Sequence, residues 1–215
     1  MILSDREILA AVQRGDITIT PLPEFRSKSW TSTALDLTLE AEIRRWIKIA
    51  ELGQSMPINP LLPEFNTDEL IARHTILEDC SREPVVIGSN EFLLGWTVEK
   101  IKLPHTSKIA ARVEGKSSLA RIGLGVHVTA PTIHAEFGVN PDDPGYAGSP
   151  IRLEIWNAGP LGIVLSKGMR ICQMIFEEVH GTPDEAYRGT YAVQGPSPSR
   201  RSSTIGRGKG TRAKP

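Results

Sequence analysis

The sequence has little of what several common protein classes depend on. Among 215 residues only Cys80 and Cys172 are cysteines, too few for a disulfide framework and without the paired spacing of a zinc site. No run approaches the roughly 18 apolar residues of a membrane-spanning helix, and charges at positions 5–7 interrupt the only candidate secretion signal. We therefore expect a cytoplasmic protein with two buried thiols, no redox function and no membrane partner.

Net charge is also absent, since 25 basic residues balance 25 acidic ones. The balance hides an asymmetry, because six basic residues and no acid lie in residues 196–215, and the rest of the chain has a net charge of −6. The same stretch is rich in Gly, Ser and Pro, and such a composition cannot bury enough apolar surface to fold alone. We predict one folded domain over residues 1–195 and a flexible basic tail over 196–215. The acidic body argues against a nucleic-acid partner.

The apolar pattern predicts a mainly β protein with a few short helices. The clearest helix begins at a capping box formed by Ser4 and Glu7, continues as an apolar stripe and ends at Gly15. Many short strands separated by Gly and Pro favour a β barrel or sandwich. The predicted strands lie at residues 17–19, 34–39, 92–98, 126–129 and 151–157.

Residues 114–123 combine glycines, serines and cations in a way that suits a phosphate. Ser117 and Ser118 can cap a helical turn, whose free amides bind anions. Lys116 and Arg121 add positive charge on either side. Similar turns occur in many proteins that bind no ligand, and the glycine spacing is not that of a Walker loop. On spacing alone, a structural turn is the favoured interpretation.

In the strand over residues 151–157, alternation places apolar residues on one face and Arg152, Glu154 and Trp156 on the other. A carboxylate thus shares a strand face with an indole. In a pocket, burial raises the pKa of a carboxyl and a nearby cation lowers it, so a general base tuned toward neutrality can arise. On an exposed face, Arg152 and Glu154 would form only a weak surface pair. Periodicity does not choose between the two.

A zinc mechanism has one point in its favour. His134-Ala135-Glu136 matches the His-x-Glu half of the zinc nucleobase deaminase signature, but the Pro-Cys-x-x-Cys half is missing. The other histidines show no ligand spacing either. We predict no metal bound by the protein itself.

Three motifs, in their order and rough spacing, closely resemble the motif series of the dCTP deaminases. They are Lys116-Ser117-Ser118-Leu119-Ala120-Arg121, Val126-His127-Val128-Thr129-Ala130 and Leu153-Glu154-Ile155-Trp156-Asn157. The opening helix, the strand at 34–37 and the stretch 195–200 resemble the same family, which shares its fold and much of this pattern with the dUTPases. The resemblance covers residues 1–45 and 92–200. Residues 46–91 form an unassigned, insertion-like region in which we predict one short helix, Thr67 to His74.

The resemblance implies a distorted β barrel of the dUTPase-like type, assembled as a homotrimer with sites shared between subunits. The implied reaction is the hydrolytic deamination of a deoxycytidine nucleotide. The expected conversion is that of dCTP to dUTP and ammonia. Glu154 would be the general base that takes a proton from the water attacking C4 of cytosine. Ser117 and Arg121 match the positions that hold and polarise this water and the base. A Mg²⁺ ion would be bound by the triphosphate rather than by protein ligands.

Other residues match family positions that contact the nucleotide. Lys116 and Ser118 match phosphate contacts, the segment around Val128 matches the reader of the pyrimidine edge, and Tyr191 and Gln194 match a tail that closes over the phosphates. The full expected nucleotide-binding set is Lys116, Ser118, Leu119, Ala120, Val128, Thr129, Ala130, Asp143, Arg152, Leu153, Tyr191 and Gln194.

Several positions depart from the family pattern. Thr132 stands where deaminases usually carry an arginine, His134 replaces an aspartate and Thr190 replaces a lysine. The pattern resumes after an apparent insertion at Asp143, to which the role of the missing aspartate is assigned. Fewer cations would then face the phosphates, which affects the preference for a triphosphate more than the deamination. Two alternatives stay open: a dUTP diphosphatase, alone or coupled to deamination, and a catalytically inactive nucleotide-binding regulator.

Overall fold

The computed structural model describes residues 1–48, 57–126, 130–181, 191 and 193–196. In these ranges the α-helices are α1 Asp5–Arg14, α2 Thr67–His74 and α3 Ser117–Ala120, and a 3-10 turn covers His105–Ser107. The strands are β1 Thr18–Thr20, β2 Leu35–Thr38, β3 Glu42–Trp46, β4 Thr75–Asp79, β5 Val85–Ile87, β6 Phe92–Lys102, β7 Ile109–Gly115, β8 Leu124–Val126, β9 Thr132–Ile133, β10 Ser149–Asn157, β11 Ile163–Leu165 and β12 Arg170–Glu178. No helix in the described ranges is long and apolar enough to cross a membrane.

Two antiparallel sheets and a two-stranded ribbon contain these strands. The first sheet has the order β4-β3-β6-β10-β8, and β1 also pairs with β6. The second has the order β2-β12-β7-β9, and β5 pairs with β11 in the ribbon. The predicted class, mainly β with a few short helices, is confirmed. Closure into a barrel and the trimer stay predictions.

One apolar cluster joins both sheets, the ribbon and α1. Strands with one face packed inward alternate buried and exposed positions, as β5 and β11 do here. The cluster includes Cys80, 3% exposed, and Cys172, 0% exposed, so the prediction of two buried thiols is confirmed. Burial raises the pKa of both thiols.

The predicted first helix is present with the expected ends. The Ser4 side chain accepts a hydrogen bond from the backbone N–H of Glu7 at 3.3 Å, and Gly15 ends the helix with φ +81°. Ile8 and Ala11 are the fully buried residues of its inner face. The helix therefore packs on the core by one stripe.

The region left unassigned from the sequence, residues 46–91, supplies two strands as well as the predicted α2. β4 extends the first sheet by pairing with β3, and β5 forms the ribbon with β11. β4 gave no alternating signal because its apolar residues Ile76 and Leu77 are both exposed, at 50% and 54%. Tertiary pairing, not periodicity, defines this part of the fold.

Candidate functional site

The alternation predicted for residues 151–157 is confirmed in β10. Ile151, Leu153 and Ile155 are buried in the core, and the intervening side chains lie on the other face. There Glu154 is partly buried. It pairs in register with Leu94 of β6, which pairs in turn with Arg44 of β3. Glu154 thus lies within the first sheet rather than at its edge, and it is partly buried rather than fully solvated.

Arg152 lies against an indole on the same face. Its guanidinium carbon is 3.8 Å from the ring centroid of Trp96, the residue opposite it on β6, and Trp96 is only 2% exposed. Burial lowers the pKa of Arg152, and the negative charge of Glu42 opposes this effect. An arginine nevertheless stays charged throughout the physiological range. The structure therefore fixes a cation two residues from Glu154.

Two exposed aromatic residues flank Glu154 on its other side. Trp156 is 40% exposed, and Phe92, its partner in register on β6, is 43% exposed. Trp156 covers Gly125 of β8, where an added Cβ would lie 1.8 Å from the indole Nε1. The absence of a side chain at Gly125 lets the indole approach the backbone of β8 closely. An apolar patch results beside the candidate base.

The turn after β7 forms helix α3, but its cap differs from the prediction. Ser117 and Ser118 were expected to cap the turn, whereas the N-cap is Lys116, with extended φ −93° and ψ 129° and no side-chain capping bond. The serines are already helical, so neither side chain can occupy the capping position. Ser117, Ser118 and Arg121 are all exposed to solvent.

Lys116 is part of an ion cluster that no pattern in the sequence indicated. Its Nζ lies 2.5 Å from Oδ2 of Asp36, a residue on β2 that is 1% exposed. Nη1 of Arg170, at the start of β12, lies 3.0 Å from the same oxygen. Oδ1 of Asp36 is buried and has no hydrogen-bond partner within the described part of the chain. In the sequence, Asp36 is one polar position of an alternating strand, and its pairing with two distant cations explains how a carboxylate can be buried there.

Two glycines join the α3 turn to the far end of β10. An added Cβ on Gly123, whose φ is +95°, would lie 2.2 Å from the backbone nitrogen of Gly159. The two segments of the chain therefore touch through backbone atoms alone. Ala158 also donates its backbone N–H to Gly123 at 2.9 Å. Since a strand rises about 3.3 Å per residue, this junction lies roughly 13 Å along the chain from Glu154. Within one chain, the segment that follows α3 therefore meets the residues just beyond β10, away from the candidate base.

The chain beyond the last strand returns to the opposite end of β10. The backbone N–H of Gln194 donates to Oγ of Ser149 at 3.0 Å, and the Tyr146 hydroxyl donates to the backbone oxygen of Gln194 at 3.4 Å. Tyr191 is 44% exposed. The predictions for Val128, Thr129 and Thr190 lie outside the described residues.

The remaining predicted residues lie in different parts of the fold. Asp143 is exposed, and its Oδ1 accepts the backbone N–H of Gly145 at 3.0 Å within a turn. Leu153 belongs to the hydrophobic core, and Leu119 packs against that core. Ala120 and Ala130 are exposed. Thr132 and His134 are exposed around β9. Among the described residues there is no group of three His, Cys, Asp or Glu side chains able to hold a metal ion.

Comparisons with known proteins agree on one family. A family model described as dCTP deaminase-like matches residues 2–179. A "dCTP deaminase, dUMP-forming" from Methanosphaera stadtmanae is 33% identical over 86% of this chain and 83% of its own length. A "dCTP deaminase" from Thermomicrobium roseum is 32% identical over 93% of each chain.

A solved structure supports the fold. The 2'-deoxycytidine 5'-triphosphate deaminase from Agrobacterium tumefaciens matches with a TM-score of 0.56 and 22% identity. The match covers 81% of this chain and 47% of that chain, so this chain spans about half the length of that protein.

Proposed function

Because the chain belongs to the dCTP deaminase-like family, we propose that it hydrolyses the amino group of a deoxycytidine nucleotide, with dCTP as the expected substrate and dUTP and ammonia as the products. The observation that carries the proposal is the placement of Glu154, a partly buried carboxylate within a sheet and beside a fixed cation. Such a group is suited to general-base catalysis because a carboxylate that is held by the sheet and still partly exposed can take a proton from a bound water.

In the proposed reaction Glu154 removes a proton from water, and the hydroxide attacks C4 of cytosine. Glu154 delivers this proton to N3 of the ring and then carries the proton of the new C4 hydroxyl to the amino group, so that the C4–N4 bond breaks as the C4=O bond forms, and ammonia leaves. Ser117 and Arg121 hold the water and polarise the base. Arg121 and Ser117 are exposed, so both are available to a ligand from outside their own chain.

The arrangement supports a site shared between subunits of a homotrimer. Within one chain, the turn after α3 contacts the residues just beyond β10, which lie about 13 Å along the chain from Glu154. A neighbouring copy would bring its own Ser117 and Arg121 to this Glu154, and would cover the exposed Phe92 and Trp156 beside it. Analytical ultracentrifugation should therefore give a trimer.

The phosphates would contact Lys116 and Ser118. An ammonium has three protons, so Lys116 can keep its bond to Asp36 and still donate to a phosphate. Tyr191 and Gln194 would close over the nucleotide from the end of the chain. A Mg²⁺ ion would be bound by the triphosphate oxygens, which are the hard oxygen ligands that this ion prefers.

The test is release of ammonia from dCTP, dCMP and modified cytosine nucleotides by the wild type and by Glu154→Gln. Loss of a general base costs about 10²- to 10⁴-fold, so the variant should lose at least 100-fold in kcat while remaining folded. Glu177→Gln, a strand glutamate in the second sheet, is the matched control and should keep wild-type activity. Absence of turnover by the wild type on every substrate would refute the proposal, and nucleotide-dependent thermal stabilisation in that case would favour an inactive regulator.

A second candidate is a bifunctional enzyme that also releases pyrophosphate. The observation in its favour is that the 33%-identical relative is named a dUMP-forming dCTP deaminase. Chromatography of the dCTP reaction discriminates, since dUMP with pyrophosphate marks the bifunctional enzyme and dUTP marks deamination alone. Supplying dUTP directly tests the diphosphatase step, which should survive Glu154→Gln if the two activities are separable.

A further inference from the structure

We propose that Tyr146 and Ser149 are positioning residues for Gln194: their hydroxyl groups fix the backbone of Gln194, so that its side-chain amide is held in place for the nucleotide. This inference rests on the proposed function, in which Gln194 contacts the nucleotide. It gives a role to two residues outside the expected nucleotide-binding set. Both act through Gln194 rather than on the substrate itself.

Three hydrogen bonds join the two hydroxyl groups to the backbone of Gln194. The N–H of Gln194 donates to Oγ of Ser149 at 3.0 Å, and the Tyr146 hydroxyl donates to the carbonyl oxygen of Gln194 at 3.4 Å. The two hydroxyl oxygens lie 3.1 Å apart. A tyrosine hydroxyl has a single proton, which Tyr146 gives to Gln194, so the bond between the hydroxyl groups uses the proton of Ser149. The three bonds therefore form a closed ring in which each bond polarises the next.

Burial is greatest at the point of contact. Ser149 is 0% exposed, and Gln194 is partly buried, whereas Val193 and Gly195 on either side of it are exposed. The three bonds use the backbone N–H and C=O of Gln194 and not its amide, a group that can both donate and accept hydrogen bonds. The ring therefore fixes the main chain at Gln194 without using the group that would bind the nucleotide.

The two hydroxyl groups belong to a well-anchored part of the fold. Ser149 begins β10 and lies opposite Ile101 of β6. Gly148, whose φ is +100°, packs on the same residue, since an added Cβ would lie 2.6 Å from the Ile101 carbonyl oxygen. Nζ of Lys102 donates to the carbonyl oxygen of Tyr146 at 3.3 Å. The first sheet thus holds both hydroxyl groups, and the end of the chain docks on them.

Anchoring Gln194 should affect the binding of the nucleotide rather than the chemical step. A residue that is already ordered loses less conformational entropy when a ligand binds, so the ligand is bound more tightly. The hydroxyl groups are bonded to the main chain of Gln194 and not to the proposed base, Glu154. Their removal should therefore raise KM and leave kcat in place.

The experiment measures kcat and KM for dCTP in the wild type, Ser149→Ala, Tyr146→Phe, Gln194→Ala and the two double variants that contain Gln194→Ala. Each hydroxyl variant should raise KM about three- to tenfold, the worth of a net hydrogen bond, and keep kcat within about twofold. Neither hydroxyl change should raise KM further once Gln194→Ala has removed the amide. An unchanged KM in both hydroxyl variants would overturn the proposal, as would additive effects in the double variants, which mark a merely structural role.

Ser107→Ala is the matched control. The Ser107 hydroxyl oxygen also accepts a backbone N–H, that of Ile109 at 3.3 Å, but it lies in the 3-10 turn before β7. Its loss should leave KM in place. Misfolding of Ser149→Ala is recognised by circular dichroism, and Tyr146→Phe, which removes only a hydroxyl from a partly buried side chain, then decides.

Two readouts need no turnover and so separate this proposal from the proposed function. Deuterium exchange at the Gln194 amide, followed by mass spectrometry, should be about three- to tenfold faster in Ser149→Ala and unchanged in Ser107→Ala. The dissociation constant of dCTP, measured by calorimetry in the Glu154→Gln background, should rise by a similar factor. Should either quantity stay unchanged in Ser149→Ala, the positioning role is wrong even if dCTP is deaminated. Changes in both, with an inactive wild type, support the positioning role and refute the enzyme.

Discussion

Replacing Asp36 by asparagine should destabilise the protein strongly, because one buried carboxylate oxygen holds two cations. The asparagine amide would keep the shape of the side chain and remove its charge. Lys116, at 2.5 Å, and Arg170, at 3.0 Å, would then lose their common counter-ion. Loss of the counter-ion would also affect the proposed phosphate site, because Lys116 is the N-cap of α3.

The exposure of the three side chains sets the size of the effect. Breaking a fully buried pair costs about 3–5 kcal/mol, and a surface pair is worth about 0–1 kcal/mol. Asp36 is 1% exposed and the Lys116 side chain 18%, close to the buried case, whereas the Arg170 side chain is 40% exposed and partly screened. We expect a loss of about 3 kcal/mol, or a fall in Tm of about 6–12 °C for a chain of this length.

Urea unfolding of the wild type, Asp36→Asn, Lys116→Met and the double variant provides the assay. Because Asp36 and Lys116 bond directly, the double variant should lose clearly less than the sum of the single losses. Arg170→Gln should cost less than Lys116→Met, in line with its greater exposure. Asp142→Asn, at an exposed turn, should change stability by less than about 0.5 kcal/mol. A loss below about 1 kcal/mol in Asp36→Asn, or additive losses, would refute the reasoning.

Two further predictions follow from buried titratable groups. Burial raises the pKa of Glu99 above its ordinary 4.5, although Thr38 donates hydrogen bonds to the carboxylate. Between the pKa of the unfolded chain and that of the folded state, the folded protein therefore keeps a proton that the unfolded chain has released. The free energy of unfolding falls as the pH rises through this range. Glu99→Gln should abolish this dependence of stability on pH, and the variant should unfold at the same or a higher urea concentration than the wild type at pH 7. A large loss of stability in Glu99→Gln at pH 7 would contradict the prediction. Burial also raises the pKa of Cys80 and Cys172, so Ellman's reagent should label neither at pH 8 until guanidinium unfolds the chain; labelling of the native protein would show an open thiol.

Features that depend on neighbouring residues were predictable from the sequence. The cap at Ser4, the glycine end of α1 and the alternation in β10 are all local, since each depends on residues within one turn or one strand. The class of fold and the family followed from the same patterns and from three motifs in order. Helix α2 was predicted with its observed bounds. Strands β4 and β5 were not predicted, because their apolar residues do not all point inward.

The sequence by itself determined the family, the main elements and the candidate base Glu154. Only the tertiary structure decided which residues the neighbouring charged side chains contact. Asp36 meets cations 80 and 134 positions away, and Arg152 meets Trp96 from another strand. Such contacts depend on strand register and on which sheet each strand joins, and periodicity along one strand carries no information about its partner. The sequence placed Arg152 on the strand face of Glu154, but only the pairing of β10 with β6 showed that its guanidinium lies on the buried indole of Trp96.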